Sequence, residues 1–187
     1  KGERNMTREI VNMVASTRYC TSLDINDVAD TLNVEYEQEQ FPGMVYRVES
    51  PKVCLLLFRS GKVVATGAKS AEDVESAFRQ LHERLTDEGF LTEENPFDED
   101  FIQISNLVIT TDYGSPVDLN TLILQLPFEK TEYEPEQFPG LIYRLDEPSA
   151  VCLIFSSGKC VITGTKSVDD SDVAADLLTE NLDEILG

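Results

Sequence analysis

Several short segments alternate apolar and polar residues with a period of two, and two longer ones repeat with the period of a helix. Residues 9–17 alternate and predict a strand. Residues 24–32 set Val28 and Leu32 four apart behind an acidic start, the pattern of a short helix. Residues 44–48, 53–58 and 62–66 read as short strands at hairpin spacing, with Ser60-Gly61 as one turn. Phe41-Pro42-Gly43 reads as another, in which proline fixes one residue and the glycine is expected to take a positive φ. Ser70 then opens a longer helix as its N-cap, with Glu72 and Asp73 in the first turn. Its apolar stripe is Val74, Phe78, Leu81 and Leu85.

This arrangement is written twice. Residues 35–70 and 132–167 align without a gap at a constant offset of 97, and 21 of the 36 positions are identical. Upstream, residues 11–14 match 105–108 at an offset of 94, and Thr17/Thr111 and Tyr19/Tyr113 continue the match. The second long helix starts at Ser167 and carries Val173, Leu177, Leu178, Leu182 and Leu186. The chain therefore divides into residues 1–95, a first repeat with an N-terminal extension, and residues 96–187, a second repeat ending in an acidic helix. The division falls in an acidic stretch containing Pro96. Two such copies imply a pseudo-two-fold relation and an α+β fold, with helices on one face of antiparallel strands.

The strand residues that the helices do not cover are not charged. One parity gives Val11, Met13, Leu55, Leu57, Val63 and Ala65, a core for the helices. The other gives Asn12, Val14, Leu56, Phe58, Val64 and Thr66, and the second copy repeats it as Asn106, Val108, Leu153, Phe155, Val161 and Thr163. A face that met only water would carry charges. This one needs a cover: another subunit, a further domain, or a ligand with a smooth and weakly polar surface. The floor of a DNA minor groove answers that description, offering sugar edges and only the A N3 and T O2 acceptors. Phe41, Phe58, Phe138 and Phe155 stand at turns or strand ends, where wedges between base steps would have to be. Phe58 and Phe155 also read as the last core residues of their strands. Phe41 and Phe138 precede Pro-Gly among polar residues, a poor place for core. The pairs Met44/Leu141 and Val45/Ile142 read as swaps within the core.

Composition narrows the classes. A chain of 187 residues, 41% hydrophobic, can fill one sizeable core or two small ones. No apolar run approaches the roughly 18 residues of a membrane span, and the opening KGERNMTREI has no apolar stretch of a signal peptide. Cys20, Cys54, Cys152 and Cys160 form no CxxC pair and the one histidine is His82, so neither a zinc site nor any cofactor is expected. Cys54 and Cys152 read as small core residues of a reduced, cytoplasmic protein, and His82 as a solvated residue among charges. No phosphate loop is present, because Gly61-Lys62 and Gly158-Lys159 are followed by Val and Cys. Asp169-Asp170 suits the first turn of a helix, and no enzymatic constellation emerges.

The net charge is −20, unevenly spread. Residues 41–69 hold five bases and one acid, and residues 138–166 three bases and two acids. These segments carry +4 and +1, which leaves −25 for the remainder. Arg47/Arg144, Lys62/Lys159 and Lys69/Lys166 recur at equivalent places in both copies.

With EQFPGLIYR, LIFSSGK and the TG-x-KS ending, each present in two related copies, the chain resembles the TATA-box-binding protein family in its archaeal form, from about residue 9 to the end. The resemblance implies one curved antiparallel sheet built from both repeats, a saddle with helices on its convex side. The concave side would clamp the minor groove of an A·T-rich promoter element. By that resemblance Phe41, Phe58, Phe138 and Phe155 intercalate. Asn12, Val14, Leu56, Val64, Thr66, Asn106, Val108, Leu153, Val161 and Thr163 meet the groove floor. Arg47, Ser60, Lys62, Lys69, Arg144, Ser157, Lys159 and Lys166 meet phosphates. Glu134, Glu136 and Gln137 would bind transcription factor B, and RNA polymerase would follow indirectly. Gln137 stands where relatives commonly carry an aliphatic residue, and Gln40 where many carry a base. The −20 charge resembles that of salt-adapted archaeal proteins. No membrane contact is implied. The alternative is a duplicated, non-enzymatic interaction module that dimerises through its apolar sheet face.

Overall fold

A computed structural model describes residues 7–187 of the chain. Residues 1–6, part of the N-terminal extension assigned to the first repeat, lie outside the described residues. Two compact units emerge among the described residues, one formed by Asn12–Ser105, the other by Asn106–Gly187 with residues 7–11. The first strand, β1 (Arg8–Arg18), thus contributes its opening residues to one unit and its remainder to the other.

In the Asn12–Ser105 unit, β1 leads through α1 (Ile25–Leu32) to β2 (Met44–Glu49), β3 (Lys52–Leu57), β4 (Lys62–Ala68) and α2 (Ala71–Asp87). The strands are antiparallel, in the order β2-β3-β4-β1. Asp24 caps α1 by accepting from the Asp27 N–H at 3.2 Å, and Ser70 caps α2 by accepting from Asp73 N–H at 3.1 Å. The core is the odd parity of the strands against α2. Met13, Leu55, Leu57, Val63 and Ala65 meet Val74, Ala77, Phe78, Leu81 and Leu85, all at 1% exposure or less.

The Asn106–Gly187 unit repeats the plan with β5 (Gln103–Asp112), α3 (Leu119–Gln125), the two-residue β6 (Thr131–Glu132), β7 (Leu141–Asp146), β8 (Ser149–Ile154), β9 (Lys159–Thr165) and α4 (Val168–Leu186). Its strand order is β5-β9-β8-β7-β6. Ser167 caps α4 through Asp170 N–H at 3.0 Å. The two cores hold similar volume in different pieces. Leu55 pairs with Ala65 across β3 and β4, and at the equivalent place Cys152 pairs with Ile162. Large-with-small has become small-with-large, the kind of swap that close packing tolerates best.

Three expectations need correction. Val173 is 47% exposed, and the buried stripe of α4 is Ser171, Ala174, Ala175, Leu178, Thr179 and Leu182. Leu178 and Leu182 are buried as expected and Leu177 and Leu186 half-buried, so Val173 alone leaves the stripe, and Ala174 and Ala175 take its place against the sheet. His82 is buried at 8%, not solvated. Its Nε2 lies 2.6 Å from the Asn95 carbonyl oxygen, and its ring packs edge-on against Tyr19 with centroids 5.1 Å apart. Val45 and Ile142 are half-buried on the face opposite the helices, whereas Met44 and Leu141 are indeed core.

Because Phe78 fills the centre of one core, Phe78→Ala should cost about 3–5 kcal/mol. Val173→Ala should stay within about 0.5 kcal/mol. Urea unfolding midpoints read both, and a large loss at Val173 would return it to the buried stripe.

Candidate nucleic-acid interface

The strand register sorts the open-face residues into rows. In the Asn12–Ser105 unit, Arg47 lies opposite Cys54 and Cys54 opposite Thr66; Val45, Leu56, Val64 and Ser16 form the next row. The other unit gives Arg144, Val151 and Thr163, then Ile142, Leu153, Val161 and Thr110. Apart from the exposed Arg47 and Arg144, every residue in these rows is half-buried, as are Asn12, Val14, Asn106 and Val108. No helix of either unit covers them. Val45, Ile142, Cys54, Val151, Ser16 and Thr110 thus join the residues found by sequence. Cys54 is corrected from core to open face; Cys152, one pleat position further along, is core as expected. Strand parity held the signal for all six, but apolar identity assigned Val45, Ile142 and Cys54 to the core, and Ser16, Thr110 and Val151 drew no notice.

The asparagines are held by a feature of the strand that ends each sheet repeat. Gly67 and Gly164 have φ of 86° and 99°, in the region that favours glycine, and the ladder register shifts beside them. Such a bulge takes a backbone N–H out of the ladder, and that donor needs an acceptor. Asn12 Oδ1 accepts from Gly67 N–H at 2.7 Å, and Asn106 Oδ1 from Gly164 N–H at 2.8 Å. A backbone N–H only donates, so each carboxamide has its oxygen turned to the bulge and its NH₂ turned away. Asn106 Nδ2 also lies 3.3 Å from Thr163 Oγ1. The centre of each face therefore presents hydrogen-bond donors within an apolar floor.

The aromatic pairs sit at the end of each face. Phe41 and Phe58 meet edge-on with centroids 6.0 Å apart, and Phe138 and Phe155 with centroids 5.8 Å apart. Phe41 is 40% exposed and Phe138 36%. The Phe41 and Phe138 N–H groups donate to the Glu37 and Glu134 carbonyls at 3.0 Å, closing the turns that carry them. The glycines that follow were expected at positive φ, and they are not. Their role is space: a Cβ on Gly43 would stand 2.9 Å from both Phe41 and Phe58, and one on Gly140 2.8 Å from Phe138 and 3.0 Å from Phe155. The rings occupy the room a side chain would take.

Arg47, Ser60, Lys62, Lys69, Arg144, Ser157, Lys159 and Lys166 are all exposed. Ser60 and Ser157 hydroxyls accept from the Lys62 and Lys159 N–H groups at 3.4 and 3.3 Å, within equivalent turns. Arg144 lies 3.4 Å from Glu132 on β6, an exposed ion pair worth little in water. Glu134, Glu136 and Gln137 are exposed on the turn leading to Phe138. Behind the sheet, burial pushes the Cys152 thiol up to about 12 and the Cys160 thiol up to about 11. Among the described residues no group of His, Cys, Asp and Glu is arranged to hold a metal ion, and no helix is long and apolar enough to cross a membrane.

The profile of a family described as transcription factor TFIID (or TATA-binding protein, TBP) matches residues 7–87 and 101–185. The TATA-box-binding protein of Methanocaldococcus jannaschii is 49% identical over 95% of this chain and 94% of its own length. That of Haloarcula marismortui is 46% identical, again over 95% and 94%. The solved structure of Methanococcus jannaschii TBP superposes with a TM-score of 0.84 at 49% identity, covering 95% of this chain and 99% of that one.

Thiol chemistry checks which face is open. Cys20 and Cys54 are half-buried, whereas Cys152 and Cys160 are buried and their raised pKa values keep them as protonated, unreactive thiols. Ellman's reagent should therefore meet two fast thiols in the native protein and four in denaturant, and Cys54→Ser should remove one of the fast pair. Four fast thiols without denaturant would show that the helices do not seal the back.

Proposed function

This chain belongs to the TATA-binding protein family, of archaeal type, and from that premise we propose that it is a transcription initiation factor that binds the TATA box through the DNA minor groove. The observation that carries the reading is the pair of carboxamides, Asn12 and Asn106, whose oxygens are spent on Gly67 and Gly164. What remains to offer a ligand is NH₂, on a half-buried apolar floor. The minor-groove edges of A·T and T·A pairs carry acceptors only, whereas G·C adds the guanine N2 amino donor. An A·T-rich centre satisfies both asparagines. A G·C pair sets donor against donor in a desolvated place, a mismatch costing about 1–3 kcal/mol.

On this reading each of the two repeats, residues 1–95 and 96–187, lays its open sheet face along the groove. Val14, Leu56, Val64, Val108, Leu153 and Val161 meet sugar edges, and Thr66 and Thr163 flank the asparagines. Phe41, Phe58, Phe138 and Phe155 unstack base steps and bend the duplex, as architectural minor-groove proteins, this family among them, do. Unstacking costs energy, and a rigid wedge lowers that cost; each Phe pair is braced edge-on above a glycine with no room to retreat. The exposed bases hold phosphates along the rims. Glu134, Glu136 and Gln137 recruit transcription factor B, and through it RNA polymerase, in the cytoplasm at the nucleoid. Halophiles and methanogens stand close together among the relatives, so the salt-adapted origin rests on charge: −20 in total, with seven acids and no base in residues 167–187.

Phe155→Ala should reduce bending in a circular-permutation gel assay while leaving circular dichroism unchanged; unaltered bending would remove the wedge role. G·C substitution at the central steps should weaken wild-type binding about 10- to 100-fold, and Asn12→Ala with Asn106→Ala should shrink that discrimination. A protein that protects no A·T-rich duplex at any salt concentration, and remains dimeric, would favour the interaction module instead. Counterion release makes ordinary DNA binders lose affinity steeply with salt. With −25 outside the basic segments, the slope in potassium chloride should be shallow or reversed, because cations must be taken up to screen the acids. A steep negative slope would refute this.

A further inference from the structure

The two copies share the Ser-Gly-Lys turn but not the residue beside it. In the Asn12–Ser105 unit, Arg18 ends β1 directly opposite Lys62 of β4. Arg18 shares the parity of Asn12 and Val14, so its side chain leaves the sheet on the open face. Its Nη1 donates to the Ser60 carbonyl at 3.0 Å, which anchors the guanidinium to the turn that carries Lys62. The groove beside it, of about 510 Å³, is lined by two cations, Arg18 and Lys62, and by no carboxylate.

At the equivalent place the Asn106–Gly187 unit has Asp112, opposite Lys159. The groove there, of about 830 Å³, is lined by Lys159 and Arg8 but also by Asp112 and Glu9. Arg8 is further tied to Asp172 and Asp176 on α4. Two cations thus meet at least two carboxylates.

Opposite charges across an antiparallel pair compensate each other; like charges directly opposite are destabilising. Asp112 and Lys159 form the first kind of pair. Arg18 and Lys62 form the second, and its cost is relieved when an anion settles between them. We propose that Arg18 and Lys62, with the Ser60 hydroxyl, form a seat for a DNA backbone phosphate that exists in the first copy alone. The inference rests on the DNA-binding function proposed above and adds a residue that the matched bases of the two copies do not reveal. Arg18 suits the role, since a planar guanidinium holds a phosphate through paired N–H groups while its remaining donor stays on the Ser60 carbonyl.

Single methylphosphonates scanned along both strands of a TATA duplex, with affinities for wild type, Arg18→Ala, Arg18→Lys and Asp112→Asn, test it. One position should weaken wild type by about fivefold or more but Arg18→Ala by less than about twofold, the non-additivity of a direct contact. Arg18→Lys should keep that sensitivity in part, and Asp112→Asn should keep the wild-type profile. Arg18→Ala should also move the slope of log K against log salt by about one unit toward positive values. Identical profiles for wild type and Arg18→Ala, or a position lost equally in Asp112→Asn, would overturn the seat while leaving the function standing. A wild-type protein indifferent to every duplex would instead overturn the function and this inference with it.

Discussion

An antiparallel strand hands alternate side chains to opposite faces, and here the helices of each unit cover only one of them. Every other feature of the molecule answers to that constraint. The covered face can drift, because only its total volume matters to close packing; Leu55 with Ala65 and Cys152 with Ile162 fill equivalent space. The uncovered face has no such freedom. Its valines and leucines, with Phe58 and Phe155, are half-buried without a helix above them, and Phe41 and Phe138 are exposed, so packing against a helix is not what sets their identity.

The glycine bulges join fold to chemistry. Bending a strand by a bulge costs a ladder hydrogen bond, and the displaced N–H must be satisfied. Asn12 and Asn106 satisfy it from the neighbouring strand. That structural duty fixes which end of the carboxamide looks outward, without further packing around it. The donors that the proposed function needs at the centre of each face are thus a consequence of how the strand turns. The phenylalanine pairs obey similar logic. Gly43 and Gly140 serve by leaving space, and the rings that fill it brace one another.

Much of this was legible in the chain. Period-two alternation placed the strands, Ser70 and Ser167 marked both long helices, and the duplication located every paired residue. The failures have physical causes. In α4 the leucines marked the buried side correctly, but Val173 was added to them while the small Ala174 and Ala175, which complete that side, gave no apolar signal of comparable size. His82 was read by its charged sequence neighbours, while the segment around Asn95 that buries it arrives from outside the helix. Cys54, Val45 and Ile142 were given to the core because apolar identity usually means burial; strand register alone shows which side they take. Arg18 escaped because it lies outside the gap-free repeat, where no matching base drew notice to it.

A near-symmetric protein on a near-symmetric ligand still has to choose a direction. On the proposed reading the floor cannot make that choice, since the acceptor pattern of A·T equals that of T·A in the minor groove and both halves present the same asparagine and phenylalanines. Polarity must come from places where the copies part. Arg18 stands against Asp112, and Arg144 is drawn to Glu132 on a strand, β6, that the first copy lacks. Both differences are electrostatic; on the proposed reading the change from Arg18 to Asp112 removes a base from the second copy's rim, and the exposed Arg144–Glu132 pair adds little to it. On that reading the half that holds the backbone more firmly would enforce the larger deformation and so favour the more deformable end of the site. Repetition then supplies recognition, and the departures from it supply direction.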